Sequence, residues 1–307
     1  MNMNWNVAVD APIFSALTYS VPEGLEPQVG ASVRVPLGVR SADGVLLGPA
    51  VEASTDSVVK IKPIASIEDQ PRLAEQYLNW VKWVSDYYAH PVGQVARLAF
   101  PPLGVSKKLK PSSLGPAPGS ALEQKHSLNP DQARVFEDLR DEEKFGVHLL
   151  FGVTGSGKTE VYLQLIEQVL KRGQSALVLV PEISLTPQLY QRFGRRFGEQ
   201  VAILHSQLTD RQRTDQWFSV MRGEKRILVG ARSALFCPTP NLGLIVVDEE
   251  HEASYKQEEK LKYQARDSAI MRAKFENCPV LLGSATPSLE TWHNARTGKF
   301  VLHRLNR

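Results

Sequence analysis

Lysine and threonine behind a glycine-spaced run, and adjacent carboxylates behind an apolar run, are the residues of this 307-residue chain best suited to chemistry. The first set is Gly152-Val153-Thr154-Gly155-Ser156-Gly157-Lys158-Thr159. It closes an apolar stretch at 147–151 and opens an amphipathic one at 160–171. That places it between a strand and a helix, the setting in which this pattern signals a phosphate-binding loop. Gly152, Gly155 and Gly157 allow backbone conformations closed to other residues, so successive N–H groups can turn toward phosphate oxygens. The helix that follows adds its N-terminal partial positive charge. Lys158 then reaches the β- and γ-phosphates, and the Thr159 hydroxyl binds Mg²⁺. The whole run is expected to contact ATP.

The second set ends the segment Leu244-Ile245-Val246-Val247-Asp248-Glu249-Glu250-His251. Its consecutive apolar β-formers read as a parallel strand covered on both faces. Carboxylates at the C-terminal end of such a strand lie where open α/β sheets place ligands. Asp248 is expected to hold Mg²⁺ through water, and Glu249 to orient and deprotonate the attacking water. Lys158, Asp248 and Glu249 are thus the candidate catalytic residues, with ATP and Mg²⁺ as cofactors.

These groups need a scaffold, and the chain supplies alternating strands and helices. Apolar runs at 147–151, 176–180, 201–204, 227–229, 244–247 and 280–282 predict strands separated by helical segments, the signature of a doubly wound parallel sheet. Helix 159–172 carries Val161, Tyr162, Leu165, Ile166, Val169 and Leu170 as a core stripe, and Gly173 ends it. Upstream, Asn129-Pro130-Asp131-Gln132 reads as a helix start: Asn129 caps, Pro130 takes the first position, and Gln132 stands three residues after the cap. Gln132 is placed either to cap or to read adenine, with the capping role put first.

The wording of several segments is more specific. Gly152–Thr159, Asp248-Glu249-Glu250-His251 and Gly283-Ser284-Ala285-Thr286 resemble motifs I, II and III of superfamily 2 helicases of the DEAH-related kind. Val180-Pro181-Glu182-Ile183-Ser184-Leu185-Thr186-Pro187-Gln188, Leu204-His205-Ser206, Gly230-Ala231-Arg232-Ser233-Ala234-Leu235-Phe236 and Ser254-Tyr255-Lys256-Gln257 resemble the PriA family of bacterial replication-restart helicases. That resemblance covers 128–307. A weaker one covers 1–104, through Val21-Pro22-Glu23-Gly24, Val33-Arg34-Val35-Pro36-Leu37-Gly38 and Tyr87-Tyr88-Ala89-His90-Pro91-Val92-Gly93.

Implied by the resemblance is a RecA-like first helicase lobe with an ATP-dependent 3′-to-5′ motor. Such a motor recognises stalled or branched forks and starts primosome assembly, with forked and single-stranded DNA, single-stranded-DNA-binding protein and other primosome proteins as partners of a monomer. The resemblance gives Ser184, Thr186 and Arg232 to the DNA backbone, roles suited to small hydroxyls and a guanidinium. As residues alone, Ser184 and Thr186 read equally as turn and cap positions. Tyr255, Lys256 and Tyr263, together with Lys260, Lys262 and Arg266, interleave rings and cations. Such a segment can stack bases and hold phosphate, or simply be a solvated charged loop. In the family this loop senses DNA and signals to the ATP site. Here Leu261 stands where Trp is usual, and Lys260 where Gly is usual. Ser284 and Thr286 would couple the carboxylates to the DNA side.

The N-terminal part is built differently. Short β-type runs at 6–9, 17–21, 32–35, 45–47 and 58–61 between Pro and Gly turns predict a small β-rich barrel or curled sheet, followed by a helix over 72–89. By resemblance it captures a DNA 3′ end, with Lys62 in the pocket and Leu17 and Thr18 replacing the usual Phe and Asp. Residues 105–127, rich in Pro, Gly and Ser, predict a flexible linker in place of the family's winged helix. The domains are therefore 1–104, 105–127 and 128–307.

A net charge of +3 is mild, so nucleic-acid binding has to come from local patches. No leader pattern and no apolar run near twenty residues is found, which predicts a cytoplasmic protein with no membrane partner, and the resemblance implies a bacterial one. Cys237 and Cys278 read as buried thiols, with no zinc site in this chain. By resemblance a second lobe supplies an arginine to the ATP cleft, and the chain ends after the first. It is expected on its own to bind DNA, to bind ATP–Mg²⁺ weakly and to unwind nothing. The alternative is a non-catalytic fork-binding scaffold that binds ATP.

Overall fold

Alternating apolar residues build an antiparallel sheet at the start of the chain. The structure, a computed structural model, describes residues 3–50, 61–101 and 126–306. It divides into two units, Met1–Lys107 and Lys108–Arg307. In the first, β1 (Asn4–Val9), β2 (Leu17–Ser20), β3 (Ser32–Leu37), β4 (Arg40–Pro49) and β5 (Ser66–Ile67) lie in the order β2-β1-β4-β3-β5. Trp5, Val7, Val9, Tyr19, Val33, Val35 and Leu46 share its core. The segment that ends in β5 bonds to both edges. Ser20 N–H donates to the Lys62 carbonyl, Ile64 N–H to the Ser20 carbonyl and Ala65 N–H to the Arg34 carbonyl. The sheet thereby curls onto itself as a small barrel, which removes its free edges.

Helix α1 (Glu75–Tyr87) buries Tyr77, Leu78, Trp80, Val81 and Val84. It starts later than its apolar pattern suggests because Leu73 N–H is bonded to the Gly30 carbonyl and Ala74 is extended. A short α2 (Val92–Arg97) follows, which periodicity did not reveal. It packs so closely on β1 that a Cβ on Gly93 would overlap the Val9 carbonyl. Most of the strand expected at 58–61 and of the linker expected at 105–127 lies outside the described residues.

The second unit opens with α3 (Pro130–Leu139), whose Asn129 cap and Gln132 form a reciprocal capping box. Then come β6 (Val147–Gly152), α4 (Lys158–Lys171), β7 (Ser175–Leu179), α5 (Pro187–Phe197), β8 (Val201–Leu204), α6 (Asp210–Met221), β9 (Ile227–Gly230) and β10 (Leu242–Val247). A two-residue ribbon, β11 (Lys256–Gln257) and β12 (Tyr263–Gln264), leads into α7 (Ala265–Glu276), β13 (Val280–Ser284), α8 (Leu289–Arg296) and β14 (Val301–Leu305). The seven long strands form one parallel sheet, β14-β6-β13-β10-β7-β9-β8.

Leu150, Val178, Val229, Val246 and Leu281 pack with Val135, Val161, Leu165, Ile166 and Val169 of α3 and α4. Alternation sends Ile245 and Val247 to the other face, where α7 packs on β10 and β13. Helices on both faces make this the doubly wound parallel sheet that the alternating runs predict, and the RecA-like fold that the resemblance implies. Its C-terminal edge collects the loops that follow β6, β7, β9, β10 and β13.

Strand β14 was not visible as an apolar run, since its core positions include a histidine. His303 pairs in register with Leu150, and its Nε2 lies 3.2 Å from Nδ1 of the buried His148. Burial, and then the neighbouring His303, push His148 down to about 4; burial also lowers His303, against the pull of Asp138. Unfolded imidazoles titrate near ~6.5, so the unfolded chain takes up protons first. The stability held by the neutral pair is complete above that value and drains away as pH falls from it toward about 4. Melting of the second unit between pH 7.5 and 4.5 should therefore fall more steeply for the wild type than for His148→Phe.

Candidate nucleotide site and nucleic-acid edge

The loop after β6 takes a shape that only its glycines permit. Gly155 and Gly157 both have φ +83°, and a Cβ on Gly157 would overlap the Gln132 side-chain amide. That amide donates from Nε2 to the Ser156 carbonyl at 2.9 Å, while Oε1 of the same side chain accepts from Asn129 N–H. Gln132 therefore caps α3 and braces the loop at once, with both side-chain atoms engaged. Helix α4 starts at Lys158 with no side-chain cap, which leaves its N-terminal amides to the loop. Ser156 Oγ is buried there without a hydrogen-bond partner. Thr154 and Val153 are exposed at the loop's tip, and Thr159 is half-buried in the first turn of the helix.

Lys158 lies under the loop, its Nζ donating to the Gly152 carbonyl at 2.8 Å and standing 3.6 Å from Glu249 Oε1. The ammonium thus joins the two halves of the site. Glu249 has φ +45°, a left-handed conformation that costs about 1–3 kcal/mol in a non-glycine residue and persists only where the surroundings impose it. Asp248 extends from β10, its N–H bonded to the Leu179 carbonyl. Its carboxyl is held above the usual range by burial first and then by the Glu249 charge, against the Tyr162 hydroxyl and Lys158. A buried carboxyl with a second carboxylate beside it favours a cation at the site.

The donor set fits ATP and Mg²⁺. A nucleotide-borne Mg²⁺ needs only one or two protein groups, and Thr159 and, through water, Asp248 are the ones that would hold it, phosphate and water completing its shell. Among the described residues no group of three or more His, Cys, Asp or Glu could hold a metal ion by itself. The orphaned Ser156 hydroxyl and the uncapped helix suit phosphate oxygens.

Three residues beside this site carry more than their sequence positions suggested. Tyr162, read as core, donates from its hydroxyl to Asp248 Oδ1 at 3.0 Å. Burial, and then Asp248, hold that phenol well above its ordinary range, so it stays protonated. Glu250 is 1% exposed and accepts from Arg266, from Ser288 N–H and Oγ, and from Thr291 Oγ1. His251 lies between Ser284 Oγ (2.8 Å) and Thr286 Oγ1 (3.1 Å). The imidazole thereby links the loop after β10 to the end of β13 and the loop that follows it.

The nucleic-acid candidates divide. Ser184 closes a turn of 3₁₀-helix after β7, and Thr186 caps α5 by accepting from Leu189 N–H at 3.3 Å. Both stand at the ligand-bearing edge. Arg232, after β9, donates to the Ser254 and Lys256 carbonyls and so pins the loop that follows the carboxylates. Lys256 is exposed and paired with Glu258 on the surface. Lys62, in the first unit, is exposed and donates to the Gly38 carbonyl at 3.1 Å.

Tyr255 and Tyr263 need correction as base-stacking residues. Tyr255 is 1% exposed and its hydroxyl donates to the Asp248 carbonyl at 2.6 Å. Tyr263 is buried edge-on against Phe236. Leu261 is buried as well, and Lys260 takes φ +53°, which explains why glycine suits that position. The rings of this segment form its inner face and its lysines the outer one. Ring–cation alternation in a sequence does not say which member faces water.

Known proteins show the same two parts. Residues 6–101 match the model of a 3′DNA-binding domain (3′BD) of the PriA type, and residues 129–295 match that of the DEAD/DEAH box helicases. The chain is 54% identical over 186 residues to the replication restart protein PriA of Bacillus subtilis, covering 58% of this chain and 23% of that protein. It is 34% identical to the PriA of Chlamydia pneumoniae over 98% of this chain and 50% of that protein. The chain thus spans at most about half the length of these curated relatives. The helicase domain of Pyrococcus furiosus Hef superposes on 56% of the chain, and the chain on 36% of it, with TM-score 0.43 and 19% identity.

Glu250 gives this site a direct stability test. Removing a buried partner strands the Arg266 guanidinium and typically costs about 3–5 kcal/mol. Glu250→Ala is expected to lower the urea midpoint of the second unit accordingly, with Glu250→Gln losing less because the amide still accepts hydrogen bonds.

Proposed function

This chain belongs to the PriA family of DEAD/DEAH box helicases, and from that membership we propose that it forms the DNA-capturing and first ATP-binding parts of an ATP-dependent 3′-to-5′ DNA helicase of replication restart. In this reading it recognises stalled or branched forks in the bacterial cytoplasm and initiates primosome assembly. It binds forked and single-stranded DNA as a monomer and meets single-stranded-DNA-binding protein and other primosome proteins there.

One observation carries the reading. Lys158 and Glu249 stand 3.6 Å apart across the two halves of the site, while His251 extends that site to the loop after β13. Lys158 exchanges the Gly152 carbonyl for β- and γ-phosphate oxygens, and the amides of the glycine loop and of the α4 N-terminus hold the remaining charge. Thr159 and Asp248 are the residues that would hold Mg²⁺, which when bound neutralises charge building on the transferred phosphoryl group. Glu249 orients the attacking water and takes its proton. Ser184, Thr186, Arg232 and Lys256 line the edge where a single strand would run, with phosphate contacts suited to a motor that reads no sequence. Lys62 serves the DNA-end pocket of the first unit.

The burial of Tyr255, Leu261 and Tyr263 favours a second reading, a fork-binding scaffold that binds ATP without coupling it to DNA, since the loop after the carboxylates offers no exposed ring. The two readings separate on nucleotide turnover with forked DNA. Under the helicase reading, Lys158→Ala abolishes ATP binding and any DNA-stimulated hydrolysis while fork binding in a gel-shift assay stays at the wild-type level. Hydrolysis that survives Lys158→Ala rejects the assignment of the site. Fork binding without any DNA-stimulated hydrolysis, in a protein that includes a second lobe, selects the scaffold.

A further inference from the structure

The side chain that fixes the Mg²⁺-holding carboxylate is not in either motif. We propose that Tyr162 is a positioning residue for Asp248, and that Gly283 is glycine in order to leave room for the Tyr162 hydroxyl. The inference rests on the reading of Lys158, Thr159 and Asp248 as an ATP–Mg²⁺ site and adds to it the group that orients the carboxylate.

Tyr162 stands four residues after Lys158 and three after Thr159 on α4. Residues at those spacings share one face of a helix. A single rigid element therefore carries the phosphate-binding ammonium, the metal-binding hydroxyl and the phenol that grips Asp248. The Asp248 carboxyl accepts a backbone hydrogen bond from Glu249. The Tyr162 hydroxyl, donating to Oδ1 at 3.0 Å, adds the side-chain contact that sets the carboxyl's rotation.

The space on the far side of the phenol is set by β13. A Cβ at Gly283 would overlap the hydroxyl and lie 3.1 Å from Asp248 Oδ1. Tyr162 is 1% exposed among apolar side chains of α4 and the sheet. A phenylalanine would fill that site equally well. The hydroxyl is explained by the carboxylate it meets, since a buried donor without an acceptor is costly.

The assignment is tested by binding of the fluorescent probe mant-ATP to the whole 307-residue chain, in EDTA and in excess Mg²⁺. The wild type is expected to bind more tightly with Mg²⁺. Tyr162→Phe should keep the affinity in EDTA and lose the Mg²⁺ gain, with the midpoint for Mg²⁺ rising about 10–100-fold, as when the partner of a metal ligand is removed. Gly283→Ala should show the same selective loss, and the double variant should be no worse than either single one. Wild-type Mg²⁺ dependence in Tyr162→Phe overturns the proposal. So does an equal loss with and without the metal in both single variants, which would make the bond merely structural. A wild type that binds no mant-ATP at all rejects the nucleotide reading itself, and this inference with it. Retained binding and an unchanged Mg²⁺ gain in the variant reject this inference alone.

Discussion

A single buried carboxylate, Glu250, holds the machinery of the second unit together. Taking an ionised group out of water costs several kcal/mol, and only well-aligned charge-assisted hydrogen bonds offset that cost. Glu250 finds them on separate elements: the Arg266 guanidinium on α7, and the Ser288 and Thr291 groups at the start of α8. Its own N–H bonds to the Gly283 carbonyl at the end of β13. The residues on either side inherit this rigidity. Glu249 is kept in its left-handed conformation, and His251 is delivered between Ser284 and Thr286.

The same economy of contact joins the glycine loop to the nucleic-acid edge. Glu160 follows Thr159 directly and receives Arg192 and Arg196 of α5 at 3.5 and 3.4 Å. Helix α5 is the one capped by Thr186. The first turn of α4 is therefore tied to the middle and last turn of α5 through this ion cluster. On the other side, Tyr255 reaches the carbonyl of Asp248 and Arg232 holds the backbone of the loop that bears Tyr255. Loops expected to touch DNA and residues expected to touch nucleotide are thus neighbours through side chains.

Much of this was legible in the residues themselves, for reasons that are local. Glycines at 155 and 157 are required by positive φ whatever surrounds them. The Asn129 cap and its Gln132 partner depend on four consecutive residues, and the structure forms that box. The parallel strands are uniform apolar runs because both faces are covered, so each appeared within a residue or two of its final bounds. Strand β14 escaped because a histidine pair replaces aliphatic contact in part of its core, and α2 because six residues give too short a period to read.

The groups suited to phosphate and metal chemistry are marked by local spacing: a glycine loop, a lysine, a threonine and adjacent carboxylates at strand ends, each recognisable because its requirement is met within a few residues. Which distant polar groups meet those residues was left to packing. The Tyr162–Asp248 bond spans 86 residues and the Glu250–Ser288 bond 38. No helical or strand periodicity records such pairings. Tyr255 and Tyr263 make the same point in reverse: a ring beside a lysine in sequence has no fixed direction until packing assigns one to the core and the other to water.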